Sequence, residues 1–197
     1  MARAGSDLEA LGFLDDDSTL HGRMQKGVPI LGPVEAIDTF AGLPDVWAVC
    51  AIGEPDVRRQ IVSRTDPLGV RWATLIHPQA VVSDWVQVGE GTIIHAGAVA
   101  TTSSRIGRHV IVNVLSAVAH DNDLADFSTL SPMANLAGGV TVGEGAFIGA
   151  SAVVREGSSV GDWAVVAMGA VVVTDVPPGV VVGGVPARPL RENRNRR

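Results

Sequence analysis

The chain has 197 residues, is 46% hydrophobic but only 4% aromatic with no Tyr, and carries a formal net charge of −6. That length allows one sizeable core or two small domains, and the acidic balance speaks against nucleic acid as the main partner. A single cysteine, Cys50, excludes a disulfide within the chain and suits a reducing compartment.

The front third, residues 1–75, alternates strand-like and helix-like stretches, as a small α/β domain does. Residues 13–17 read as a strand end and turn, 28–31 as a short extended piece, 34–40 as a short helix and 46–52 as a buried strand. Residues 56–65 read as a helix with Asp56 near its start, and 72–76 lead into the next region. Cys50 falls in an apolar run and reads as a small core residue. The domain looks incomplete, because no first strand with a Gly-rich loop precedes Phe13. No apolar stretch has the length of a signal-peptide core or a membrane span, so a cytoplasmic protein without membrane contact is expected.

Residues 76–177 carry a period of six. Stepping by six from Ile76 through Val82, Val88 and Ile94 to Val166 and Val172 meets apolar residues at all seventeen positions, with only Ala100 small. Four places after each stands mostly Ala, Ser, Thr or Val, with Asn122 the bulkier polar exception. Strands repeat every two residues and helices every ~3.6, so neither explains sixes. A coil with three flat faces does, at one hexad per face. The aliphatic and small positions would fill its interior, and glycines such as Gly97 and Gly139 would ease its corners. Between five and six such coils follow, each burying its core by stacking on its neighbours. A three-faced prism also packs naturally around a threefold axis, so a homotrimer is expected. Residues 178–197 form a C-terminal extension whose basic cluster, Arg191, Arg194, Arg196 and Arg197, reads as a solvated tail.

Of the five histidines, His120 stands out. It holds the third place of its hexad, which should face outward, and Asp121 follows it. An imidazole with an adjacent carboxylate suits general-base chemistry, since the carboxylate can fix the tautomer and steady the imidazolium. The competing reading is a solvated corner histidine. Asn113 lies one hexad plus one residue earlier and could sit on an adjoining face.

The chain resembles the hexapeptide-repeat sugar acyltransferases, in particular the sialic acid O-acetyltransferases and bacterial UDP-4-amino-sugar N-acetyltransferases. The resemblance rests on Phe13-Leu14-Asp15-Asp16, Ala51-Ile52-Gly53 with Arg58, and Ile76-His77-Pro78. It continues through Asn113, His120-Asp121, Ala125-Asp126-Phe127, Pro132, Gly138 and the closing Gly184-Val185-Pro186-Ala187-Arg188. It implies a left-handed parallel β-helix behind the small α/β domain, and an acetyl-CoA-dependent transferase acting on an amino group or hydroxyl of a sugar, nucleotide-linked by preference. It implies that His120 deprotonates the acceptor, Asp121 orients His120 and Asn113 helps hold the sugar. Asp15 and Asp16 would face the nucleotide. The Gly138 backbone would meet the thioester carbonyl, and Gly169 would line the pantetheine groove. It also implies an active site between subunits and no metal. A histidine usual nine places after the base is Thr129 here, which bears on one coenzyme contact.

Two other readings compete. A non-catalytic scaffold would show no coenzyme binding. A γ-class carbonic anhydrase on the same coil would need three histidines converging on zinc; His77 and His95, eighteen apart, stack on one face, but His109 falls out of that column.

Overall fold

The computed structural model of the chain describes residues 2–3 and 8–193; Arg194, Arg196 and Arg197 of the basic end lie outside them. The period of six becomes a prism. Seventeen two-residue strands follow one another from Leu75–Ile76 to Val171–Val172, and each pairs in parallel with the strand eighteen residues away. Three sheets result, of nine, six and five strands, wound as a left-handed parallel β-helix behind a small α/β subdomain. The hexad aliphatics are the core: Ile94, Ile106, Val118, Leu124, Leu130 and Leu136 are at most 1% exposed, with Val82 and Val88 half-buried at the open end. Each fully buried aliphatic contributes up to about 1.5–3 kcal/mol of transfer free energy, so the stack is the main source of stability.

The corners obey a stricter rule than their glycines suggest. From Gly91 to Gly169, every sixth residue has φ between 52° and 72°, whether or not it is glycine. His109, Leu115, Asp121, Phe127, Met133 and Trp163 all hold this left-handed conformation. L-residues occupy it at some cost, which the stacked sheets outweigh because each turn is fixed on both sides by inter-coil hydrogen bonds.

The three faces differ in what they show outward. On the nine-stranded face Ile93, Ile111 and Thr129 are buried from outside, because front-domain residues dock against its corner. The five-stranded face presents Gln87, Arg105, Asp123, Thr141 and Ser159, with an Arg105–Asp123 ion pair of 2.6 Å. The six-stranded face presents Val81, Val99, Ala117, Asn135, Val153 and Val171, and its flanking corner carries Leu115 and Met133. Val81 is 63% exposed, Leu115 62% and Met133 57%.

The front domain has a three-stranded sheet (Phe13–Leu14, Met24–Gln25 and Val28–Gly32), a 3-10 helix at Val34–Thr39 and a helix, α1, at Pro55–Thr65. The expected buried strand at 46–52 is a correction. It forms only one bridge, Ala48 to Trp72, while Trp47, Val49 and Ile52 are 45%, 39% and 42% exposed and Cys50 alone is buried. Ala48 bonds Arg71 and Ala73 on one edge, and the other side of the segment faces an apolar hollow of about 1240 Å³. Burial pushes the Cys50 thiol pKa up, in keeping with a core residue.

Candidate active site

His120 and Asp121 occupy the corner between the six-stranded and five-stranded faces, just after strand Ala117–Val118. The hexad places His120 outward and the left-handed turn at Asp121 swings the carboxylate beside it. His120 Nδ1 lies 2.8 Å from Asp121 Oδ2, and both side chains are nearly two-thirds exposed. That bond leaves Nε2 as the atom free to exchange a proton with a ligand.

One coil above stands Gly138. The imidazole lies flat over it: a Cβ there would come 2.6 Å from His120 Nε2 and closer still to Cε1. Only glycine leaves room for the ring. Above it the chain is tied back, since Gly139 N–H donates to the His120 carbonyl at 2.9 Å. At the equivalent place on another corner, Arg108 N–H and Glu144 N–H donate to the carboxylates of Asp126 and Asp162. Gly138 N–H has no hydrogen-bond partner among the described residues.

The other residues singled out from the sequence lie apart. Asn113 sits at the opposite end of the six-stranded face, where its Oδ1 accepts from Val114 N–H at 2.8 Å. Gly169 lies on the same corner column as Asn113's neighbour Leu115, exposed, with open space around its α-carbon. Asp15 lines the front-domain hollow and accepts from Asp17 N–H. The Asp16 carboxylate is half-exposed and bonded within the front domain. It accepts from Val34 N–H at 2.9 Å and pairs with Arg64, which also reaches Glu35, and these contacts hold the Asp16 carboxyl below its usual range.

Arg58 was noted in the sequence for its neighbours, but its task is found only in the fold. It is wholly buried and donates to the carbonyls of Ile52 (2.7 Å), His109 (2.9 Å) and Phe127 (2.6 Å), and to Thr129 Oγ1 (2.8 Å). Thr129 is therefore spoken for by the guanidinium. Burial lowers the Arg58 pKa to about 10, which still leaves it charged at neutral pH. Beside it His109 stands edge-on to Trp72 at 4.8 Å and stacks on Phe127 at 5.4 Å. Its ring nitrogens have no hydrogen-bond partner among the described residues, and burial lowers its pKa to about 4. No cluster of three or more metal-ligating side chains occurs among the described residues, and no helix there is long and apolar enough to cross a membrane.

Comparison with known proteins gives this geometry its context. Residues 139–174 match the family model described as bacterial transferase hexapeptide (six repeats). The chain is 34% identical over 196 residues to GDP-perosamine N-acetyltransferase of Escherichia coli O157:H7, covering 96% of this chain and 86% of the relative. Among solved structures it matches the acetyltransferase domain of PglB from Neisseria gonorrhoeae FA1090 in complex with acetyl coenzyme A. That match has a TM-score of 0.84 and 36% identity, over 91% of this chain and 85% of the other. It also matches PerB from Caulobacter crescentus in complex with CoA and GDP-perosamine, with a TM-score of 0.82 and 35% identity over 90% and 84% of the two chains.

Proposed function

The chain belongs to the hexapeptide-repeat sugar N-acetyltransferase family, and from that premise we propose that its His120 corner acetylates the amino group of a nucleotide-linked sugar. The enzyme uses acetyl-CoA as co-substrate and needs no metal. The observation that carries the reading is the His120–Asp121 pair at 2.8 Å, its ring packed against Gly138, whose N–H has no partner among the described residues. These are the two elements that acyl transfer requires: a base for the acceptor and a donor for the oxyanion.

In this reading the acceptor amine loses its proton to His120 Nε2 as nitrogen attacks the thioester carbon. Asp121 keeps the proton of the resting imidazole on Nδ1 and steadies the imidazolium that forms. Gly138 N–H donates to the carbonyl oxygen as it gains charge. Collapse breaks the carbon–sulfur bond, and coenzyme A leaves as the thiol with the proton that His120 Nε2 took from the amine, which returns the imidazole to its neutral form. Gly169 lies farther along the coil, where the pantetheine arm would run. Asp15, at the rim of the front-domain hollow, would face the nucleotide, and Asp16 would hold the turn that presents it. Residues 1–75 would thus serve the nucleotide, 76–177 the chemistry, and 178–197 would extend the coil.

The same reading makes the working unit a homotrimer. An outward face of Val81, Val99, Ala117, Val153 and Val171, with Asn135 its one polar residue, is costlier in water than the neighbouring face of Gln87, Arg105 and Asp123. Packing the apolar face on another copy would bring the His120 corner at one edge, and Asn113 at the other, to the seams between subunits. Asn113 would then hold the sugar across a seam. Light scattering should give about three chain masses; an active monomer would refute the seam.

The decisive test is His120→Ala, assayed for thiol release from acetyl-CoA against GDP-, UDP- and dTDP-linked amino sugars. The side chain is exposed, so stability should change by about 0.5 kcal/mol or less while turnover falls roughly 10²–10⁴-fold. High pH should restore part of the rate, because an amine acceptor then arrives neutral; a hydroxyl acceptor would gain far less. Wild-type turnover in the mutant would remove His120 from the mechanism.

A further inference from the structure

The inside of the His120 corner is built differently from most of the coil. In most hexads the small inner residue closes its own turn: Ala134 N–H donates to Ser131 O, Ala146 to Gly143 O, Ala152 to Gly149 O and Ala164 to Gly161 O. Beneath His120 this local bond is exchanged for bonds between coils. Asn122 N–H donates to Ser104 Oγ at 3.1 Å, and Val140 N–H donates to Asn122 Oδ1 at 2.6 Å. The carboxamide also reaches back, with Nδ2 donating to Ala119 O at 3.0 Å. Ser104 Oγ lies 2.9 Å from the same carbonyl.

Ala119 O belongs to the peptide that leads into His120. Val140 closes the turn of Gly138 and Gly139, over which the imidazole lies. Asn122 therefore couples the corner that carries His120 to the corner it packs against. The hydroxyl of Thr92 makes a comparable bond to Val110 N–H under His109, but it does not reach back to its own turn.

Stability alone does not ask for this arrangement. Asn122 is 2% exposed inside a prism whose equivalent places at Ala98, Ala134, Ala146, Ala152, Ala164 and Ala170 are served by a methyl group. Burying a carboxamide costs several kcal/mol unless it is bonded, and alanine would avoid that cost. What asparagine adds is a fixed relation between two adjacent turns. We propose that Asn122, assisted by Ser104, is a positioning residue that sets the orientation of His120 against Gly138. The proposal rests on the reading of His120 as the base.

Three variants test it: Asn122→Ala, Asn122→Ser and His120→Ala, each assayed with acetyl-CoA and whichever nucleotide amino sugar of the panel wild type accepts. Asn122→Ala should keep the trimer and thermal midpoint, because alanine fills the equivalent hexad place at the other two corners of the coil. Its kcat should fall about 10–100-fold, the order expected for a small misplacement of a catalytic group, with both KM values within about threefold. Asn122→Ser should recover part of the loss, since a hydroxyl there can accept from Val140 N–H as Ser104 accepts from Asn122 N–H. An Asn122→Ala enzyme at wild-type kcat beside an inactive His120→Ala enzyme would overturn the positioning role and leave the base in place. Full activity in both, or no wild-type turnover with any amino sugar, would remove the reading of His120 and this role with it. Should Asn122→Ala fail to fold, Asn122→Ser decides: wild-type kcat in a folded Asn122→Ser enzyme overturns the link to Ala119, and a reduced kcat at unchanged KM supports it.

Discussion

Two corners of the coil, at His109 and at Asp121, share one backbone and have opposite surroundings. Their φ angles are 52° and 59°, and twelve residues, two hexads, separate them. At the first, Trp72, Phe127 and Arg58 close over the imidazole of His109, which is 0% exposed and has no hydrogen-bond partner among the described residues. At the second, no described residue of the front domain covers His120, whose side chain is 63% exposed, and a carboxylate stands against its Nδ1. The local sequence sets the two histidines apart by hexad place and by the carboxylate of Asp121, but it does not show what lies over each corner. That cover decides what each ring can do. A dry imidazole held neutral can stack and fill space; a wet one with a carboxylate partner and a free Nε2 can move protons.

The contrast would be broken most severely by stripping the cover. Arg58→Met would leave the carbonyls of Ile52, His109 and Phe127 without their charged donor. Buried acceptors left unpaired cost about 1–3 kcal/mol each, so a loss of about 3–5 kcal/mol is expected after partial relaxation. The damage should be local: the Trp72 environment should open at lower urea than the β-helix melts. Coincident transitions at the wild-type midpoint would show that the guanidinium is not what holds the front domain down.

The next effect lies at the wet corner. Gly138→Ala would set a methyl group where the His120 ring lies. The ring must leave its place, and the oxyanion donor is crowded as well. A kcat loss of roughly 10²–10³ is expected, the order found when one oxyanion donor is removed. Circular dichroism and the trimer mass should not change. A fully active Gly138→Ala enzyme would mean that the imidazole works from another rotamer.

The two corners also mark where the sequence stops being informative. The hexad positions and the outward placement of His120 were legible, because the period of six fixes which residues fill a prism. Asn122 was visible as an exception to the small position, but its bonds to Ala119 and Val140 depend on coil stacking. The left-handed turns at His109, Phe127 and Trp163 were not legible, since such residues seldom choose that conformation unless neighbouring coils impose it. Arg58 and Thr129 meet across 71 residues, and no local pattern encodes that contact. Residues 46–52 read as a buried strand because apolar runs usually are; here the run borders a hollow and pairs on one edge only.

Titration separates the two histidines by a smaller effect. His109 stays neutral in the folded chain down to about pH 4, whereas an unfolded imidazole takes its proton near pH 6.5. Between those values the unfolded state binds more protons, so stability is full above the window and falls as pH drops through it. Asp16 and Glu35 have lowered pKa values and lose their contribution only further down; His95, whose pKa burial also lowers, titrates alike in wild type and His109→Met, so the difference between the two proteins from pH 7 to 5 isolates His109. The wild-type Tm should fall across that range by roughly 5 °C more than that of His109→Met, whose side chain fills the slot without a proton. Parallel pH curves for the two proteins would mean that the ring is protonated while docked.

The smallest effect concerns the carboxylate that distinguishes the wet corner. Asp121→Asn keeps the size of the side chain and can still accept from Nδ1–H, but it removes the charge. In the single chain the Asp121 side chain is 64% exposed, where water screens an ion pair to little net value. Stability should therefore hold within about 0.5 kcal/mol. Turnover is more sensitive, because the imidazolium exists only as the amine attacks, and its charge is what the carboxylate steadies. About a tenfold drop in kcat at unchanged KM is expected, less than for His120→Ala, since the base stays in place. The size of the drop also reports on the seam. If another subunit dries this corner, the lost charge weighs more than in water, and the drop should exceed tenfold in the trimer. It should also shrink in a variant whose six-stranded face is broken by Val153→Lys, provided that variant retains measurable turnover. A drop of the same size in trimer and monomer would place the chemistry in open solvent and would count against a site between subunits.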